Sequence, residues 1–224
     1  MSEWLSIPPT ELLSDKLFTN PVHTDHDAAV LAFALDQLRL LVSDAGAMAT
    51  LNAGQPIFWV EIDGRIHRFI IANASGLRTL PSFVVVGFFG QRRAGADHAP
   101  IEEVDTELIS ELMVHPGLLA YCSLLLDDGS YGNLVLFADQ ATMLHWSTSE
   151  RHAYATRVLA PKYYESVRLH NGYVAGGLAG GQPPVLERTK YLDYRGMLPW
   201  RAVREYSVDL VHLEQRDFAN VQVV

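Results

Sequence analysis

The chain has 224 residues, 49% of them apolar, and a formal charge of −9. That length and apolar share suit a substantial buried core, in one large domain or two small ones, and exclude disorder for most of the chain. Seventeen Lys and Arg scattered among twenty-six acids make no basic face, which argues against a nucleic-acid partner. No 18-residue apolar run spans a membrane, and the N-terminus MSEWLSIPPTELLSDK lacks the basic region and apolar run of a secretory signal, so a cytoplasmic protein without a membrane partner is expected. The single cysteine, Cys122, lies in the apolar run LLAYCSLLL and reads as a small core residue rather than a reactive thiol.

In chain order, residues 1 to 24 suggest an extended arm or short helical pieces around TELLSDKLF. HTDHDAAVLAFALDQLRLLVSDAGAMATL carries apolar residues at helical spacing, with Asp25 or Asp27 available as a cap and Gly46 near the end. His23, Asp25, His26 and Asp27 are the densest group of potential metal ligands, but a helix start attracts Asp for capping and dipole reasons, so no metal site is assigned. IFWVEIDGRIHRFIIANA reads as two strands joined at Asp63-Gly64 in a type I′ hairpin, with His67 facing outward. Leu77 to Pro81 form a connection. SFVVVGFFGQRR is a strand covered on both faces. IEEVDTELISELMVH is a helix whose acids Glu102, Glu103 and Asp105 complement its dipole and whose Val104, Leu108, Ile109 and Leu112 form the buried stripe.

LLAYCSLLL and YGNLVLFAD form a hairpin around Asp127-Asp128-Gly129-Ser130. Asp139 caps the following helix, and Ser147 with Glu150 has the spacing of a capping box, so that helix breaks near Trp146 to Ser149. Pro161 begins a further helical segment that Asn171-Gly172 closes. YVAGGLAGG and PPVLERTKYLDYRG make a last pair of strands around a flexible loop, and FANVQVV adds another. The expected division is residues 1–80, an N-terminal arm, helix and hairpin packed on the core, and residues 81–224, the core domain with a C-terminal strand extension. From Ser82 to Gly177 the order is βαββαβ, the ferredoxin-like α+β arrangement with both helices on one face of an antiparallel sheet. The uncovered face then needs a second sheet, from a twin subunit or from the extra strands.

The stretch PGLLAYCSLLLDDGSYGNLVLFADQATMLHWSTSERHAYA, with Trp146, Ser149 and His152 on its helix, resembles the second half of a dimeric α+β barrel domain of the antibiotic-biosynthesis-monooxygenase type. The resemblance covers roughly residues 82 to 180. It implies a homodimer and one of several activities: cofactor-independent oxygenation of aromatic substrates, isomerisation, haem binding, or binding without catalysis. In haem-binding members a helix-borne His is the axial ligand, which would be His152 beside Trp146; otherwise no cofactor is implied.

Spacing favours a different pair. Six residues separate Trp146 from His152, about 120° off a shared direction on a helix, whereas seven separate His145 from His152 and put both on one face. His145 or His152 is therefore the candidate catalytic base, since neutral imidazole suits proton abstraction near pH 7. In PKYYESVRLH, Tyr164 and Arg168 lie four apart and share a helical face, where Arg168 offers a paired-donor fork to a carboxylate or phenolate. Trp146, Tyr164 and Arg168 are the candidate contacts for a small apolar or aromatic ligand. The sequence contains no G-x-S-x-G, H-E-x-x-H or paired-Cys metal signature, so serine-hydrolase, zincin and structural-zinc readings have no motif behind them.

Overall fold

The computed structural model describes residues 4–50, 54–61, 64–97 and 99–206. They form a mixed α+β structure around one nine-stranded sheet. Its strands are β1 (Leu5–Ser6), β2 (Pro56–Val60), β3 (Ile66–Ile71), β4 (Ser82–Arg92), β5 (Leu118–Leu125), β6 (Tyr131–Phe137), β7 (Tyr164–Ala175), β8 (Val185–Asp193) and β9 (Trp200–Glu205), in the order β1-β9-β8-β7-β4-β6-β5-β3-β2. Every pairing is antiparallel except β1 with β9. The helices are α1 (Pro21–Ser43), α2 (Ala45–Thr50), α3 (Ala74–Thr79), α4 (Ala99–Met113), α5 (Gln140–Trp146), α6 (Glu150–Tyr154) and α7 (Ala160–Tyr163), with a π-helical turn over Ala155–Leu159 between the last two.

The sheet has two apolar faces because β4 alternates between them. Phe83, Val85 and Phe89 point to one side, where α1 lays Val30, Leu31, Ala34, Leu35 and Leu38 over them. Val84 and Val86 point to the other, packing with Leu112 of α4 and with Met143 and Trp146 of α5. The face expected to need a second sheet is thus covered by α1 of the same chain. A long apolar helix serves as well as a sheet, because burial is indifferent to the secondary structure that supplies it.

Several local expectations change. Helix α1 starts at Pro21, and Asn20 caps it by accepting the Val22 N–H at 3.1 Å. Asp27 is no cap; it is fully buried on the sheet side. His67 points inward, 0% exposed, because its strand position faces α1, where Phe33 and Phe69 receive the ring and Glu61 Oε1 lies 3.0 Å from Nδ1. The presumed connection at Leu77 is a short helix capped by Asn73. The β2–β3 turn closes through the Gly64 N–H donating to Glu61 O, with Gly64 at φ +88; Asp63 lies outside the described residues.

Asp139 caps α5 as expected, but the restart at α6 is capped by Ser149, whose Oγ accepts the His152 N–H; Ser147 ends α5. The segment opened by Pro161 lasts one turn, and Asn171-Gly172 lies inside β7 rather than ending a helix. β-branched and aromatic residues, paired over eleven positions with β4, outweigh the helical spacing. The strand β9 was not anticipated. FANVQVV, together with the side chains of Glu102, Val104 and Asp105, lies outside the described residues. Cys122 is buried, and burial pushes its thiol well above the usual range. Among the described residues, no helix is long and apolar enough to cross a membrane.

Candidate functional site

A cleft of about 420 Å³ opens on the α4 side of the sheet, bounded by β3, β5, β6, the end of β4 and the α7–β7 junction. Its walls alternate rings and guanidinium planes. Arg92 stacks over Tyr131 at 5.3 Å and over Tyr163 at 5.8 Å, and Arg68 over Tyr121 at 5.3 Å while donating to its hydroxyl at 3.3 Å. Such stacking fixes long side chains as flat surfaces, to which another flat group adds at little entropic cost. Tyr164 completes the wall edge-on to Tyr163, with centroids 4.7 Å apart. Gly90 makes room for it, since a Cβ there would lie 2.4 Å from the Tyr164 ring.

At the floor, Asn133 on β6 has its Oδ1 buried with no hydrogen-bond partner among the described residues. A buried acceptor left open costs free energy on the order of 1–3 kcal/mol, which a donor arriving with a ligand recovers. The cleft can therefore sandwich a flat ring and accept one hydrogen bond from it. Among its described lining residues there is no imidazole or carboxylate.

Of the residues singled out from sequence, only Tyr164 lines this cleft. Arg168 faces the opposite side of the sheet, because the register with β4 shifts between Gln91 and Arg92 and the extra residue, Glu165, reverses the alternation. There Arg168 donates from Nε at 2.5 Å and from Nη2 at 2.9 Å to Asp27, which is also 2.9 Å from His170 Nε2. Burial pushes the Asp27 carboxyl up, but the hydrogen bonds from His170 and Arg168 outweigh it and hold the group below the ordinary carboxylate range.

His145, Trp146 and His152 gather at the far end of α4. The helix break brings Trp146 and His152 together, with centroids 5.6 Å apart, although an unbroken helix would separate them. His145 lies instead against His115, with ring centroids 5.2 Å apart and the planes tilted by 35°, and His115 also meets Trp146 edge-on. Burial holds both His115 and His152 below the ordinary imidazole range. The hollow next to α6 is lined by Glu107, Glu111, Glu150, Arg151 and Tyr154, and His152 is not part of its wall. The residues that sequence reasoning passed over are Arg68, Arg92, Tyr121 and Asn133. Their one signal is polar residues at the inward positions of strands, Arg68 and Asn133 among them.

No family model and no curated protein matches the chain. Three solved structures align with parts of it. A protein of unknown function from Nitrosomonas europaea shares 14% identity over 42% of this chain and 91% of its own, with a TM-score of 0.37. A protein from Shewanella oneidensis shares 18% over 48% and 99%, with a TM-score of 0.36. SnoaB, a cofactor-independent oxygenase from Streptomyces nogalater, shares 15% over 42% and 92%, with a TM-score of 0.33.

Proposed function

We propose that this protein binds a hydroxyl-bearing aromatic small molecule in the cleft between the sheet and the α4–α7 helices. The observation that carries the reading is the buried, unpartnered Asn133 Oδ1 beneath walls of tyrosine and arginine planes. A phenolic hydroxyl would donate to Asn133 while its ring stacks between Arg92 and Tyr164. We further read β4 to β7, adjacent in the order β7-β4-β6-β5 with α4 and the α5–α7 segment on one face, as a ferredoxin-like unit that places the cleft.

Binding is favoured over proton abstraction by His145 or His152, because neither lines the cleft. Titration with 1-naphthol, followed by protein fluorescence, tests the proposal against naphthalene, which has the same ring and no hydroxyl. Saturable binding of 1-naphthol is expected, weakened about 10- to 100-fold in Asn133→Leu, the equivalent of one hydrogen bond to a buried group. Equal binding of both compounds, or an unaffected Asn133→Leu variant, would remove the reading. Oxygen uptake by the 1-naphthol complex tests for the oxygenase-like chemistry that the sequence resemblance implies.

A further inference from the structure

A second cavity, of about 620 Å³, lies on the opposite face of the sheet, between the first turns of α1, the β5–β6 turn and the end of β4. Its deep wall carries the Arg168–Asp27 pair described above. A guanidinium has two usable edges, and Asp27 takes only the one formed by Nε and Nη2. The remaining edge, Nη1 with the second Nη2 hydrogen, has no hydrogen-bond partner among the described residues, and Arg168 is among the residues lining the cavity. Its side chain is 17% exposed, whereas Asp27 is 0% exposed. The fork cannot swing away, because Asp27 is itself held by His170, whose other ring nitrogen lies 2.8 Å from Thr189 Oγ1. Phe89 supports the guanidinium plane at 5.9 Å.

Leu17, Phe18, Val30, Leu126 and Phe89 supply the apolar part of the cavity's lining, and Arg65 and Arg195 there offset the charges of Asp127 and Asp128. Two imidazoles, His23 and His26, stand at the α1 side. The geometry points to a binding site for a small carboxylic acid with an aliphatic body, its carboxylate held bidentately by the outer edge of Arg168 and its chain against Val30 and Leu126. The site is separate from the aromatic cleft, since the two open on opposite faces of the sheet.

The experiment uses hexanoate and its neutral isostere hexanamide on the full chain, followed by calorimetry and by the NMR signal of the Arg168 Nε–H. Hexanoate should bind saturably and shift that signal, with hexanamide weaker by about tenfold or more, since the fork recognises paired anionic oxygens. Arg168→Lys keeps a cation beside Asp27 and removes the fork, and should weaken hexanoate by about tenfold. Leu126→Trp, which leaves the Asp27 pair intact and crowds the cavity, should do the same. Asn133→Leu should leave hexanoate binding unchanged, which separates this site from the aromatic cleft. Absence of saturable hexanoate binding, equal binding of hexanamide, or affinity that survives Leu126→Trp would overturn the assignment.

Discussion

Asp27 is the residue on which the α1 side of the molecule turns. A fully buried carboxylate is tolerable only when its charge is matched, and here Arg168 and His170 supply three donors. Asp27→Asn would leave the guanidinium without its counter-charge and should cost about 3–5 kcal/mol in urea denaturation at pH 7. The pH dependence has a definite sign. Because the folded carboxyl sits below its unfolded value of about 3.9, the stability it contributes is complete above that value and drains away as pH falls through it towards the folded pKa. Wild-type urea midpoints should therefore fall between pH 6 and pH 3, and Asp27→Asn should lose part of that dependence. An equally steep profile in the variant would assign the acid sensitivity to other groups.

At the scale of elements, the β7 strand shows where the sequence was readable and where it was not. The order β4, α4, β5, β6 and the capped α5 followed from alternation, from turn glycines and from Asp139, all of them local signals. The residues from Tyr164 to Gly172 read as helix because four-residue spacing is ambiguous, and only pairing with β4, some eighty residues earlier, decides for strand. The bulge that parts Tyr164 from Arg168 has no sequence mark, so the two ligand candidates were assigned to one surface when they serve two. Gly172 has a reason visible only in three dimensions: a Cβ there would lie 2.0 Å from the Val185 carbonyl oxygen, at a second register shift, between β7 and β8. Gly172→Ala should lower the thermal midpoint by several degrees, as expected for a loss of about 1–3 kcal/mol from overpacking. An unchanged midpoint would show that β8 gives way without strain.

Across the whole molecule, α1 decides which surfaces remain for other contacts. Leu31, Leu35 and Leu38 of α1 are essentially inaccessible, and the sheet face they cover is the one that the order of elements left open for a second sheet. Leu35→Ala should destabilise the protein by about 2–5 kcal/mol, measured by chemical denaturation. Light scattering on the wild type tests the association that the sequence resemblance suggests. A dimer, if found, has to use a surface other than this face, and its mass should be unaffected by Leu35→Ala at temperatures where the fold is retained.

The edge of the sheet carries a consequence for how the chain is made. β1 has only two residues and pairs with β9, nearly two hundred positions later. Arg204, fully buried, reaches from β9 to the carbonyl oxygens of Pro8, Glu11 and Thr19. During synthesis residues 5–20 emerge well before β9 and wait, at about 5–20 residues per second, roughly ten seconds or more for the strand and the Arg204 side chain that hold them. The arm is thus fastened only once β9 has emerged, and a stalled or truncated product lacking Arg204 would leave it exposed to proteases.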